Sequence, residues 1–163
     1  MSEETSIYQF PRVYLEGAES RERATVRGGR LVVGAEGEYG LVTYEKALEE
    51  ILPDLSQPVV ARSFIVLVPW RREALLVEKG TRVTLVEARG THVTHTAREG
   101  DRVDEGTVLA YVLTGKGETR TVRARSRGVI AYVGWLGDSP QTHVYVIVPE
   151  DSVTRLEVEG ESG

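Results

Sequence analysis

From residue 59 onward, short β-branched runs alternate with glycine turns, and this alternation constrains the fold more than any other feature of the chain. Ser63–Val68 is a continuous apolar run suited to a buried strand. Beyond a junction at Pro69–Arg72, the spacing of runs and turns predicts further short strands. They are Leu75–Val77, Val83–Val86, His92–Thr96, Thr107–Val112, Thr121–Ala124, Val129–Val133 and His143–Val148. Such a series indicates a small sandwich or barrel.

The preceding residues combine short strand candidates with a single helix. Val13–Leu15 and Leu31–Val33 are β-rich, while the apolar residues from Tyr44 to Leu52 recur on one helical face. Thr43 is the expected cap, and Pro53 ends the helix. We therefore predict a small α+β region at 1–72, a β domain at 73–150 and an acidic tail at 151–163 that frays.

Two halves of the β region match each other at one constant offset. Val86-Glu87-Ala88-Arg89 corresponds to Val122-Arg123-Ala124-Arg125, 36 residues later. At the same offset Val93 matches Val129, Val108 matches Val144, Ala110 matches Val146, and Val112 matches Val148. The shared register predicts two similar β units packed face to face, because neither could bury its apolar face alone.

The first half contains a turn-and-strand motif, G-D-x-V-x-x-G-x-x-L, within Glu99–Leu109. Gly100-Asp101 predicts a tight turn, Val103 a core contact and Gly106 a second turn. This motif resembles that of biotinyl/lipoyl-carrier domains, and the resemblance extends over about residues 75–150. The implied fold class is mainly β: a barrel-sandwich hybrid domain preceded by a small α+β segment with one helix.

The same resemblance gives Lys116 a possible role, since carrier domains hold biotin or lipoate on a lysine at a hairpin tip. The local sequence L-T-G-K-G departs from the E-A-M-K-M of biotin carriers and the E-T-D-K-A of lipoyl carriers. Because a modifying ligase reads the shape of this hairpin, we expect an ordinary hydrophilic turn and no cofactor. Covalent biotin or lipoate on Lys116 is the alternative.

A closer resemblance, carried by Gly115–Arg120 and Gly128–Tyr132, is to an uncharacterised archaeal family that pairs an α+β segment with a barrel-sandwich hybrid. The composition agrees with such a source, because only three of the 20 Lys and Arg residues are lysine and asparagine is absent. Scarce amide residues beside abundant Glu and Arg are typical of thermophiles. With Cys 0, disulfides and thiolate nucleophiles are excluded.

A basic stretch contains Arg120, Arg123, Arg125 and Arg127. On a strand the last three would lie on one face, where they could bind an anionic ligand or nucleic acid. The alternative is a solvated face paired with glutamates such as Glu87 across the sheet. We favour the second interpretation, since the formal net charge is −5 and no aromatic residues are interleaved with the arginines.

The chain has three histidines. His92 and His95 are three residues apart on a predicted strand and so face opposite sides, whereas His143 could approach either. There is no H-x-H pair, and acids such as Asp101 and Asp104 lie in turns. We therefore expect neither a metal site nor catalytic residues.

These observations favour a non-catalytic binding or scaffolding module that associates with itself or with another protein. No apolar run approaches the roughly 20 residues of a spanning helix, and Met1–Glu4 is unlike a secretory signal. We accordingly expect a cytoplasmic protein with no membrane contact.

Overall fold

The computed structural model describes residues 10–158, which divide into two compact units. Unit 1 comprises residues 10–81 and 152–158, and unit 2 comprises residues 82–151. Strands dominate both units, and the described chain contains one short α-helix. The predicted mainly β fold class is confirmed, with an architecture consistent with a barrel-sandwich fold.

Unit 1 is a closed barrel in the order β1-β4-β2-β3-β14-β6-β5. Its strands are β1 (Arg12–Glu16), β2 (Arg23–Arg27), β3 (Arg30–Gly34), β4 (Tyr39–Val42), β5 (Phe64–Val68), β6 (Glu73–Val77) and β14 (Val153–Val158). Every residue of β5 is buried, as expected for its unbroken apolar run. Gly28 and Gly29 join β2 to β3 with φ of +58° and +80°, which is the backbone of a two-residue hairpin turn.

The predicted helix forms as a 3-10 turn at Tyr44–Lys46 that continues into α1 (Ala47–Ile51). Ala47, Leu48 and Ile51 are buried, so the apolar stripe packs into unit 1 as predicted. The Thr43 side chain makes no capping hydrogen bond within the described residues.

The structure places the boundaries between the parts of the chain differently from the sequence prediction. Unit 1 continues to residue 81 rather than 72, because β6 pairs with β5 inside the barrel. Residues 153–158 do not fray: they form β14, which is parallel to β3 and antiparallel to β6. Leu156 is buried in the barrel core, which fixes this strand. Residues 159–163 of the predicted tail, like Met1–Glu4, lie outside the described residues.

Unit 2 consists of two sheets, with strand orders β11-β10-β8 and β7-β13-β12-β9. The strands are β7 (Thr84–Gly90), β8 (His92–His95), β9 (Arg102–Val103), β10 (Val108–Leu113), β11 (Thr119–Arg123), β12 (Gly128–Asp138) and β13 (Gln141–Val148). Both sheets contribute to one core, in which Leu109, Ile130 and Tyr145 are fully buried.

The internal repeat is present, but its two halves interlock instead of packing face to face. β7 of the first half pairs with β13 of the second, and β11 of the second pairs with β10 of the first. Each sheet therefore contains strands of both halves. The short strand β9 has no counterpart in the second half, because Gly137-Asp138-Ser139-Pro140 lacks the rest of the motif and β12 runs directly into a hairpin with β13.

The G-D-x-V-x-x-G motif adopts the predicted turns. Gly100 has φ +91° and donates its N–H to the Ile130 carbonyl at 2.7 Å, while Val103 is buried in the core. Gly106 has φ +96° and donates its N–H to the Ala124 carbonyl at 2.8 Å. Both glycines thus occupy backbone conformations that other residues rarely adopt.

Candidate functional site

Lys116 lies at the exposed centre of the turn between β10 and β11. Thr114 organises this turn: its hydroxyl accepts the N–H of Lys116 at 3.3 Å and that of Glu118 at 3.1 Å. The Thr114 N–H also reaches the Glu118 carbonyl at 2.8 Å, and Gly117 turns the chain with φ +82°. The lysine is thus held at the tip of an ordered hairpin that joins the two halves of the repeat.

The three-stranded sheet presents an exposed outer face. Tyr111 lies between Thr94 and Thr121, and Leu113 lies between His92 and Thr119. Tyr111 and Leu113 are 42% and 41% exposed, although both occupy the central strand. Large apolar side chains at the centre of an exposed sheet face are typical of interaction surfaces. We refer to this set of six residues as the outer face.

The arginines do not share one strand face, and this part of the sequence prediction is wrong. β11 ends at Arg123, so Arg125 and Arg127 lie in the following bend, where the alternation of a strand no longer applies. Binding of an anionic ligand or nucleic acid by these residues stays a prediction.

Three of the four arginines have polar partners in unit 2. Arg127 Nε lies 2.9 Å from Asp104 Oδ1, and Arg120 Nη2 lies 3.6 Å from Glu118 Oε1. Arg123 Nη1 donates to the Gly106 carbonyl at 3.0 Å. Glu87 is not the cross-strand partner of Arg123, since it lies opposite Val144 on β13. The polar partners of these arginines therefore differ from the glutamate that the repeat indicated.

A cluster of His95, His143 and Tyr145 lies in unit 2. As the strand alternation predicts, His95 shares the inner face of β8 with buried Val93, whereas His92 belongs to the outer face. The ring centroids of His95 and His143 are 4.6 Å apart, with their planes at 89°. His95 Nδ1 forms a short hydrogen bond with the Tyr145 hydroxyl.

Partial burial controls the electrostatics of this cluster, since His95 keeps access to solvent and His143 is half-buried. This burial lowers the pKa of His95, and the charge of a protonated His143 would lower it further. Burial also lowers the pKa of His143, against an opposing effect of Asp138. For Tyr145, burial and the negative charge of Glu99 raise the pKa. Both imidazoles are thus favoured in their neutral, lone-pair-bearing form near neutral pH.

Sequence reasoning did not identify Tyr145 as the partner of His95, nor Trp135 as the neighbour of His143. Trp135 lies opposite His143 in the β12–β13 pairing and is 48% exposed. The available signal was the alternation of β13, which places His143 and Tyr145 on one face. The alternation of one strand does not reveal which residues its side chains contact, because the order of strands in the sheets decides which strands lie next to β13.

Unit 1 has a shallow hollow of about 400 Å³, lined by Arg12, Arg21, Glu22, Val33, Gly34 and Ala35. One carboxylate oxygen of Glu22 accepts from Arg12 at 2.8 Å and from the buried Tyr14 hydroxyl at 2.5 Å. Arg12 and Glu22, two of the polar residues that line this hollow, are therefore already bonded to each other, which indicates that they have a structural role.

Within residues 10–158, no group of three or more His, Cys, Asp or Glu side chains is arranged to hold a metal ion. In the same part of the chain, no helix combines the length and hydropathy needed to cross a membrane.

The fold defines a mainly β protein of two units, with its candidate sites in the second unit. The profile of DUF2118, described as an uncharacterized protein conserved in archaea, matches residues 8–150, and the chain belongs to this family. It is also similar to the uncharacterized protein MJ0859 of Methanocaldococcus jannaschii. The two are 25% identical over 158 residues, covering 91% of this chain and 96% of that protein. The predicted archaeal family is thereby confirmed.

Proposed function

We propose that the protein is a non-catalytic binding or scaffolding module of the cytoplasm, whose unit 2 has a biotinyl/lipoyl-like fold and binds a protein partner through its outer face. The observation that carries this proposal is the exposure of Tyr111 and Leu113 at the centre of a sheet. Burying them against a partner would remove apolar surface from water, which is the main favourable contribution to protein association.

A second copy of the chain is the partner we propose first. The outer face extends across the central strand β10 to both edge strands, β8 and β11, and a two-fold arrangement lets the same apolar surface meet itself. Light scattering over a range of concentrations should give a mass of at least two 18.0 kDa chains. A mass of one chain at every concentration would contradict self-association.

A matched pair of variants locates the surface. Replacing both Tyr111 and Leu113 by serine should reduce the particle to a single chain. Leu55→Ser, which changes a 38% exposed leucine of unit 1, should leave the mass unchanged. Dissociation by Leu55→Ser, or an oligomer that survives the double change, would show that association uses another surface.

The alternative function is a carrier domain with biotin or lipoate on Lys116. It is supported by the position of Lys116 at the exposed tip of an ordered hairpin between the repeat halves. The intact mass of the protein from its native host, with peptide mapping, tests this alternative. A prosthetic group on Lys116 and on neither Lys46 nor Lys79 would support it, and an unmodified Lys116 would contradict it.

A further inference from the structure

The neutral histidine pair of unit 2 has one property that the proposed binding function does not use: the hydrogen bonding of His95 leaves a specific nitrogen available. The Tyr145 hydroxyl donates to the Leu109 carbonyl at 3.1 Å, and a carbonyl oxygen can only accept. Since the hydroxyl has one proton, His95 Nδ1 must donate its own proton to Tyr145 Oη. The neutral His95 ring therefore carries its lone pair on Nε2.

This arrangement is the one found around metal-ligating histidines. A ligating imidazole generally donates its second N–H to an oxygen acceptor, which fixes both its tautomer and its orientation. Tyr145 is fully buried, so it can hold the His95 ring in place. His95 itself is exposed and His143 is half-buried, so an ion could reach the pair from solvent.

The ring separation is compatible with a shared ion. With a metal–nitrogen distance of roughly 2.0 Å and about 1.1 Å from nitrogen to ring centroid, two ligating rings 4.6 Å apart subtend about 95° at the ion. The planes, at 89°, can both contain that ion along the line where they intersect. An angle near 90° between neighbouring ligands is typical of tetragonal Cu²⁺ and Ni²⁺ sites.

We propose that His95 Nε2 and an imidazole nitrogen of His143 bind a divalent copper ion, with solvent in the remaining coordination positions. Copper is preferred because imidazole sites bind first-row divalent ions most tightly at Cu²⁺. Two protein ligands do not close the coordination sphere, so the ion is exchangeable. The site lies within unit 2 and does not depend on the outer face or on Lys116.

The test is a titration of the untagged full-length chain with CuCl₂ near pH 7.5, followed by calorimetry. One equivalent of Cu²⁺ should bind, and Zn²⁺ should bind more weakly. His95→Gln and His143→Gln should each weaken the affinity about ten-fold or more, as the loss of a ligand or of its support does elsewhere. His92→Gln is the matched control, because His92 lies on the same strand but on the opposite face. Equal losses in all three variants, or no binding to the wild type, would overturn the proposal.

Two readouts locate the ion independently of histidine variants. Electron paramagnetic resonance of the Cu²⁺-loaded wild type should show coupling to two imidazole nitrogens; one or none would overturn the proposal.

Bound Cu²⁺ should also quench the fluorescence of Trp135, the cross-strand neighbour of His143. Trp135→Phe should remove most of that quenching while leaving the calorimetric affinity unchanged. Quenching that persists in Trp135→Phe would place the ion elsewhere.

Discussion

Unit 1 and unit 2 are both built mainly from strands, but the edges of their sheets differ. The seven strands of unit 1 close into a barrel, so each strand has a neighbour on both sides. Unit 2 instead has two open sheets. The edge strands are β8 and β11 in the three-stranded sheet, and β7 and β9 in the four-stranded sheet. The candidate sites also differ, since Lys116, the outer face and the histidine pair all belong to unit 2. We therefore expect the closed barrel to contribute mainly stability, and the open sheets of unit 2 to be where the proposed binding takes place.

The largest effect is expected from weakening the strand that completes the barrel. Leu156→Ala should lower the free energy of unfolding by about 2–5 kcal/mol, because it leaves a cavity beneath β14 in the core of unit 1. Thr154→Ala changes an exposed residue of the same strand and serves as the control. Denaturant unfolding measures both, and equal effects would mean that β14 does not hold the barrel closed.

The corresponding change in unit 2 tests the close approach of two strands. A Cβ at Gly128 would lie 2.4 Å from the Val148 carbonyl oxygen, so Gly128→Ala should cost about 1–3 kcal/mol of unfolding free energy. A Cβ at Gly115 would meet nothing within 4 Å, so Gly115→Ala is the control. A Gly128→Ala protein as stable as Gly115→Ala would contradict the close approach of β12 to β13 at this position.

The next largest difference is expected between an ion pair in unit 1 and an ion pair in unit 2. Arg155 lies 2.5 Å from Glu73 in the barrel, and both side chains are mostly shielded from water, so Arg155→Ala should cost about 1–3 kcal/mol. Arg127 and Asp104 in unit 2 are 79% and 72% exposed, and Arg127→Ala should cost less than about 1 kcal/mol. Unfolding in low and high salt measures both. A larger loss from Arg127→Ala would reverse the comparison.

The smallest expected effect is a pH dependence that belongs to unit 2. The pKa values of His95 and His143 are lowered from the ordinary 6.5 in the folded state, so the unfolded chain binds more protons below that pH. The free energy of unfolding should therefore fall as the pH drops below about 6.5, and it should be fully retained above it. Denaturant unfolding between pH 5 and 8 measures the slope.

A double variant, His95→Gln with His143→Gln, should flatten this dependence, whereas His92→Gln should retain it. An unchanged slope in the double variant would assign the effect to other titrating groups.

The sequence predicts the parts of this fold that depend on local pattern. The apolar run of β5, the α1 stripe and the glycine turns of the G-D-x-V motif all form where expected, because each is specified within a few residues. β2 and β14 were not predicted, since arginine and threonine interrupt both runs. The positions of β2 and β14 in the barrel depend on pairing with other strands, which for β14 are distant in the sequence, and the residues of the strands themselves do not indicate this pairing.

The candidate sites divide in the same way. Lys116 could be placed at a hairpin tip from the resemblance to carrier domains, and the glycines on either side of it fit such a turn. The contact between His95 and Tyr145 joins residues 50 positions apart. Predicting it requires the order of strands across two sheets, and the interlocked pairing of β7 with β13 differs from the face-to-face packing that the repeat indicated.

The position of β14 has a consequence for how the protein is made. β6 and β14 are neighbours in the barrel, yet the whole of unit 2 lies between them in the chain. During translation the ribosome therefore delivers every strand of unit 2 before the strand that fills the gap between β3 and β6. Unit 2 can acquire its native pairings while the barrel is still open. Until β14 emerges, the nascent chain exposes two unpaired strand edges, which is the interval in which it is most vulnerable to aggregation and to proteases.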